Sequence, residues 1–594
     1  MRAPIIYPID PQYLLRKKKS IRRDLLQRPG LLDKRIAILG GSTTSEVKDM
    51  LELFLLWDGI RPVFYESLYN KYYEDILFPN PDLDKFSPEI IYIHTSSVNI
   101  CRFPLIHENE ADIKTLLSSE LIRFQAIWDR VAEHYRCPVI QNNFEWPYSR
   151  ALGNLDNYDV HGRTCFISEL NLSFATEARR RQNLYLNDIN YLSAWFGLER
   201  WYDKLYWYSY KYAMNLEAIP FLANSVASII KAILGRSRKC LVLDLDNTLW
   251  GGIIGDDGLN YIRIGIGSSE AEAYSEFQKY IRELKERGII LAVCSKNDET
   301  NALEGLLHPG SILKAEDFSA FMANWDPKSE NICKIAQSLN IGIDSLVFID
   351  DNPAEQEIVF SHLPEVAVPE MGNNILAYIN ILDKSGLFET ISVSPDDHQR
   401  ASFYSDNVVR QRLEKQFDDY NDFLRSLQMK AEVKPFSLIY LERITQIINK
   451  CNQFNVTTRR YTMTEIENIR SRENFITLYG RLVDKFGDNG LISIVIGEIR
   501  GNELHIELWV MSCRVLKRGM EDAMFDQLAA TAQTQSITTI YGYYYPTNKN
   551  GMTSGLFEQM GFVNVERSDT GATKWRFDIP KVYNKRNCCI EVTP

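Results

Sequence analysis

Several things are missing from this sequence of 594 residues. It has no apolar run approaching the roughly 20 residues that span a bilayer. Its first residues, MRAPIIYPID, lack the apolar core and small-residue cleavage site of a secretory leader. It has no positive excess: the formal net charge is −11, which argues against bulk binding to nucleic acid or membranes. Its 10 cysteines follow no regular spacing, and the one adjacent pair, Cys588-Cys589, cannot form a zinc clamp. There is no internal repeat and no low-complexity tract. The expectation is a reduced, cytoplasmic protein whose thiols are mostly buried as small apolar groups. What is present is an ordinary globular composition, 45% hydrophobic and 24% charged. The length is enough for about three domains.

The chain is organised around Cys240–Gly258, CLVLDLDNTLWGGIIGDDG. Leu241-Val242-Leu243 is too short for a helix and reads as a buried parallel strand. Alternation along a strand puts Asp244 and Asp246 on one side of its carboxyl end, where ligands sit in open α/β sheets. Ala273, Phe277, Tyr280, Ile281 and Leu284 then recur at helical spacing over 269–287, up to Gly288. A second strand, Ile289 to Val293, leads to Cys294-Ser295-Lys296-Asn297-Asp298. Asn324-Trp325-Asp326-Pro327-Lys328 opens a helix through Ala336, and a third strand, Leu346 to Ile349, ends in Asp350-Asp351. Strands alternating with helices predict a parallel sheet. Acidic side chains crowded at one sheet end repel one another unless a cation joins them.

These segments resemble, in order, the four motifs of the haloacid dehalogenase (HAD) superfamily. The longer string through Trp250, Gly251-Gly252 and Gly255-Asp256-Asp257-Gly258 resembles its FkbH-like branch, subfamily IIIC. The resemblance implies a Rossmannoid sheet with Asp244 as the phosphorus-attacking nucleophile and Asp246 as the acid/base. It also implies Mg²⁺ held by Asp350, an Asp244 oxygen and the backbone carbonyl of Asp246, with Asp351 behind them. Ser295 and Lys328, with Asn247 and Thr248 of the first motif, are the phosphate-binding candidates. Only the 250–268 stretch follows the first motif before the helix, so no large cap is expected there.

The flanks read as separate domains. Residues 1–32 form a lead-in helix with Arg16-Lys17-Lys18-Lys19 and Arg22-Arg23, either a solvated face or a dock for an acidic partner. Residues 33–234 form an α/β domain. Its Arg35–Ser42 strand and Gly-Gly-Ser turn resemble the first block of SGNH hydrolases, and Glu89 to His94 forms a further strand. Those enzymes carry Asp-x-x-His near the domain end. Here Asp203 is followed by Tyr206 in the histidine's place, so Ser42 lacks a base and a binding or scaffold role is expected. The aromatic stretch Trp195 to Tyr212 reads as core and domain interface. An amphipathic helix, Leu222 to Leu234, and a hinge at Gly235-Arg236-Ser237 lead into the HAD-like domain, 236–390. A polar helical connector follows over 391–430, with Arg400, Arg410 and Arg412.

Residues 431–594 alternate like antiparallel strands before a helix expected from Val515 to Ala532. Cys451-Asn452-Gln453-Phe454-Asn455 through Arg459 again resembles the FkbH-like family. The order of elements, with Glu507 to Arg514 on a central strand and Gly561-Phe562 near the end, resembles a GNAT acyltransferase. In that family a Gly-rich turn cradles the pyrophosphate of coenzyme A. The matching residues here are Arg514, Lys517 and Gly519, with lysine for the first glycine. Lys517 and Arg518 are then candidates for a phosphopantetheine phosphate. Cys513, beside Arg514 at a helix start, is the candidate catalytic thiol, and Cys294 is its rival.

The FkbH-like resemblance implies conversion of 1,3-bisphosphoglycerate and an acyl carrier protein into a glyceryl-carrier protein, with loss of phosphate. The glyceryl group could rest on Cys513 on the way. Such units enter polyketides or polysaccharides. Two other readings remain open: a Mg²⁺ phosphatase acting on another metabolite, and a non-catalytic scaffold presenting a carrier protein.

Overall fold

The computed structural model describes residues 5–393 and 416–593, apart from 452, 513, 514 and 548, together with 410, 413 and 414. The chain divides into two units, Met1–Ile233 and Leu234–Pro594. Among the described residues the strands form three sheets, of five, four and nine strands. The expected class holds: two parallel α/β sheets and one mixed α+β sheet.

In the first unit, helix α1 (Pro11–Leu26) is capped by Asp10, which accepts from Tyr13 N, and begins at proline. Leu14 and Leu25 are buried. Two of its basic residues pair within the molecule, while Arg16, Lys17, Lys19 and Arg23 are exposed. Lys18 reaches Glu46 and Asp49, both at 2.8 Å, and Arg22 reaches Glu52 at 2.7 Å, all on α2 (Ser45–Trp57). Lys18 and Arg22 thus join α1 to α2. The span Leu216–Ile233 is apolar enough to cross a membrane (mean hydropathy 1.4), but two-thirds of it is buried inside this unit, where it packs on α2.

The first sheet comprises β1 (Leu32–Gly40), β2 (Ile60–Glu66), β3 (Ile90–His94), β4 (Val139–Asn142) and β5 (Leu184–Asn187). All pairs are parallel, in the order β2-β1-β3-β4-β5. Ser42 follows β1 and is buried, and its hydroxyl has no hydrogen-bond partner. Asp203 spends its carboxylate capping the helix Lys204–Tyr210, accepting from Leu205 N (2.8 Å) and Tyr206 N (3.1 Å). Buried His94 is held down to about 4 by desolvation, and its Nδ1 faces the Tyr92 hydroxyl and the Asn142 amide. Among the described residues, no base therefore stands within hydrogen-bonding reach of Ser42.

The second unit holds two sheets. β6 (Cys240–Leu243), β7 (Ile290–Ser295), β8 (Ala320–Ala323) and β9 (Leu346–Ile349) run parallel in the order β8-β7-β6-β9. Strands β6, β7 and β9 are wholly buried, as apolar runs covered on both faces must be. β8 was not legible: Ala-Phe-Met-Ala is a four-residue edge strand with only half its side chains buried. The expected helices run Ser269–Glu286 and Lys328–Ser338.

The third sheet comprises β10 (Met429–Lys434), β11 (Phe454–Asn455), β12 (Phe475–Asp484), β13 (Gly487–Arg500) and β14 (Glu503–Met511). It is completed by β15 (Thr539–Tyr544), β16 (Val563–Arg567), β17 (Thr573–Asp578) and β18 (Ile590–Thr593). The order is β16-β17-β15-β14-β13-β12-β10-β18, with β11 added against β14. The helix expected from Val515 begins only at Met520, because Lys517 (φ 66°) and Gly519 (φ 77°) are left-handed and break the turn before it. About half of the expected connector, including Arg400 and Arg412, lies outside the described residues. Arg410 is buried and pairs with Asp484 at 2.8 Å.

One buried side chain ties the loop after the first motif to the rest of the second sheet's layer. Gln278 donates to Leu249 O (2.9 Å) and accepts from Ser311 Oγ (3.2 Å), Ile312 N (2.8 Å) and Leu313 N (2.9 Å). Gln278→Leu strands these groups away from water and is expected to cost about 2–4 kcal/mol in urea unfolding. A loss below about 0.5 kcal/mol would contradict this role.

Candidate functional site

The site is assembled where the carboxyl ends of β6, β7 and β9 meet the start of the helix Lys328–Ser338. Asp244 follows the central strand, and its amide donates to Ile349 O at 3.0 Å. Asp350 and Asp351 follow β9, the next strand over. One carboxylate oxygen from each of Asp244, Asp350 and Asp351 lies within 4.8 Å of the others. Asp350 is fully buried and Asp244 nearly so.

Lys328 enters this cluster from the side. Its ammonium lies 2.5 Å from Asp350 Oδ2 and 3.0 Å from Asp244 Oδ1, and the residue is 3% exposed. A cation in the first turn of a helix opposes the helix dipole, so the carboxylates must hold it there. Burial alone would lower the Lys328 ammonium, yet Asp244 and Asp350 keep it above its ordinary value. The reverse is true of the acids. Burial, and then Asp244, raise Asp350 more than Lys328 lowers it. The same two causes push Asp351 up to about 6. One ammonium thus leaves negative charge in surplus. Asp244 Oδ1 has Lys328 at ion-pair distance but accepts no hydrogen bond. An under-satisfied buried oxygen beside two further carboxylates is the donor set of a hard divalent cation.

Backbone contacts fix the cluster. Asp350 Oδ1 accepts from Asn352 N (2.9 Å), and the Asp350 carbonyl accepts from Gln356 Nε2 (2.5 Å). Asn352 in turn caps the helix Pro353–His362 through Ala354 N.

Asp246 is held separately. Its Oδ1 accepts from Trp250 Nε1 (2.8 Å) and Ile254 N (3.1 Å), and its Oδ2 from Asn297 Nδ2 (3.0 Å). Burial raises its pKa beyond what the Ile254 and Trp250 bonds take back. Its carboxylate stands outside the three-acid cluster, leaving its backbone carbonyl as the atom the sequence reading offered to a metal. Asp351, expected to stand behind the ligands, instead presents an oxygen within the cluster.

The remaining candidates are distributed unevenly. Ser295 is buried at the end of β7. Asn247 is left-handed (φ 53°), and its Oδ1 is used to accept from Gly252 N at 2.8 Å, shaping the loop. Thr248 is fully buried with an unpartnered hydroxyl. Cys294 is a poor thiolate, because burial pushes it up to about 12. Cys513 and Arg514 lie outside the described residues. Arg518 is not open to a phosphate: it is buried and donates to Asp484 Oδ2 (3.0 Å) and Asn489 Oδ1 (3.3 Å). Lys517 is exposed. Asn297 and the Trp250 indole, which orient Asp246, were not singled out from sequence. A polar residue two places beyond a strand end was the available signal. Gly305 gives Trp250 its space, since a Cβ there would lie 2.7 Å from the indole ring.

Comparison with known proteins follows the same lines. The family profile described as "FkbH, N-terminal domain" matches residues 35–231. Among solved structures, the N-terminal part of a Bacteroides fragilis protein, containing a phosphatase domain and complexed with Mg, is 31% identical with a TM-score of 0.58. The alignment covers 63% of this chain and 99% of that one. The PaiA N-acetyltransferase of Thermoplasma acidophilum in complex with coenzyme A is 15% identical (TM-score 0.20), covering 25% of this chain and 99% of its own. The GNAT domain of the S. lividans protein PAT is 16% identical (TM-score 0.20), covering 25% of this chain and 89% of its own. No curated protein matches the chain. The matched N-terminal domain, and the phosphatase-containing relative aligned almost end to end, establish that this chain belongs to the FkbH family.

Proposed function

We propose that this chain is a Mg²⁺-dependent cytoplasmic enzyme that loads a glyceryl group from 1,3-bisphosphoglycerate onto the thiol of an acyl carrier protein and removes phosphate. The observation that carries the proposal is the buried Asp244–Lys328–Asp350 cluster with Asp351 beside it and Asp246 poised apart. Asp244, Asp350 and Asp351 are the side chains that would hold Mg²⁺, which supplies charge neutralisation for a phosphoryl group in transfer.

The chain's own groups divide the work. An Asp244 oxygen attacks the phosphorus of the 3-phosphate ester and becomes an aspartyl phosphate. Asp246, kept protonated more readily by burial, gives its proton to the departing glyceryl oxygen. The same carboxylate then takes a proton from water, which attacks the aspartyl phosphate, frees inorganic phosphate and restores Asp244. Lys328 and Ser295 bear the oxygens of the phosphoryl group, and Lys328 holds Asp244 in line. The acyl phosphate end is already activated. A carrier thiolate attacks the acyl carbon and expels phosphate, forming the thioester.

Carrier protein incubated with the enzyme, Mg²⁺ and 1,3-bisphosphoglycerate should gain a glyceryl adduct by mass spectrometry. Free phosphate without an adduct would point instead to a metabolite phosphatase, and neither product to a scaffold. Asp244→Asn should abolish release of the 3-phosphate, and continued release would refute the site. Lys328→Met should lower phosphate release by about 10²–10³-fold. Metal binding also has a sign in pH. Asp351 sits at about 6 in the folded chain against about 3.9 unfolded. Without metal, the folded state therefore binds the extra proton between those values and loses stability as pH rises through them. Mg²⁺ should restore it, raising Tm more at pH 7.5 than at pH 5, and an equal rise at both would contradict this site.

A further inference from the structure

The third sheet contains a wedge. β14 and β15 pair as parallel strands only at Glu503–His505 against Thr539–Tyr541. Past His505 the strands part, and the β14 backbone from Glu507 to Met511 would present an unpaired edge toward the gap. Such an edge accepts any extended, amide-bearing chain by strand addition, and the pantetheine arm of coenzyme A is one.

Here the chain fills the gap itself. Phe454 and Asn455 pair with Met511 and Val510. Val456 N donates to Trp509 O at 3.2 Å, and Thr457 Oγ1 donates to Glu507 O at 2.8 Å. The far side of the insert is bonded too: Tyr545 N, just past β15, donates to Val456 O at 2.9 Å. The Asn550 amide locks both walls, donating to Asn455 O and Tyr545 O at 2.9 Å each. All four inserted residues are buried, Asn455 and Val456 completely. What is left of the wedge is a cavity of about 140 Å³ beside Thr457, Arg459, Glu507, Tyr543 and Tyr545. That is well below the roughly 300–1,000 Å³ of an ordinary ligand pocket.

The end of the wedge that would meet a diphosphate is equally unsuited. The helix Met520–Thr534 begins after one left-handed glycine, Gly519, and its first turn already carries Glu521 and Asp522. Those carboxylates answer the helix dipole and repel a second anion. Arg518, buried just before that helix, is committed to Asp484 and Asn489.

We infer that the C-terminal domain takes no coenzyme A, because its own Phe454–Thr457 strand occupies the interstrand wedge. The acyl donor for a carrier thiol is therefore not a coenzyme A thioester bound in this domain. The inference stands apart from the proposed glyceryl transfer, which can fail without touching it.

Hydrogen–deuterium exchange on the full chain tests it. Peptides covering 454–457 and 545 should exchange as slowly as those of β13 and β14, with no change in millimolar coenzyme A, and calorimetric titration should show no saturable heat. Asn550→Ala should speed exchange at 454–457 while leaving phosphate release unchanged. Loop-like exchange at 454–457 in the unaltered chain, or saturable coenzyme A binding, would overturn the inference.

Discussion

The structure of the site depends on one ammonium buried among acids. Lys328 stands between Asp244 and Asp350, which could not both stay ionised at such close quarters without it. The same ammonium is insufficient: Asp350 and Asp351 remain raised despite it. The cluster thus keeps a surplus of negative charge of the kind a divalent cation would offset. Asp246 stands apart from the cluster, its oxygens taken by Trp250, Ile254 and Asn297, though burial and Asp244 still raise it. The arrangement gives two carboxylates two residues apart in sequence different surroundings.

A second constraint governs the flanking sheet, and it concerns hydrogen bonds rather than charge. Strands that part company must do something with the backbone groups they expose. In the third sheet the answer is internal, with Phe454–Thr457 laid along β14 and pinned by Asn550. In the first unit, unused potential takes another form. Ser42 sits after the first strand of a parallel sheet, but its hydroxyl has no partner, and Asp203 is spent on a helix cap. In both flanking domains, groups the sequence offered for chemistry are engaged elsewhere or left without partners: Asp203 on a helix cap, Arg518 on Asp484, Ser42 alone.

Much of this was legible in the chain. The strands β6, β7 and β9 announced themselves as apolar runs because both their faces are covered. Asp244 and Asp350 could be placed near one another because parallel strands deliver their ends to one side, and Lys328 joined them through the family resemblance. The edge strand β8 could not be read, being short and half-exposed. The delayed start of the helix at Met520 was missed because left-handed Lys517 carries no glycine signal. In the basic run of α1, only the tertiary structure shows that Lys18 and Arg22 face acids of α2, while Arg16, Lys17, Lys19 and Arg23 stay exposed.

By itself the sequence determined the periodicities, the strand ends and the residue types of the phosphate chemistry, since these depend on neighbours within a few positions. The tertiary structure alone decided which groups remain available. Availability is set by partners far away in the chain: Asp484 for Arg518, 34 residues off, and Asn550 for Asn455, 95 residues off. Burial acts the same way, raising the Cys294 thiol and the Asp351 carboxyl above their ordinary values. A linear string carries the donors and acceptors, but desolvation and long-range pairing assign them.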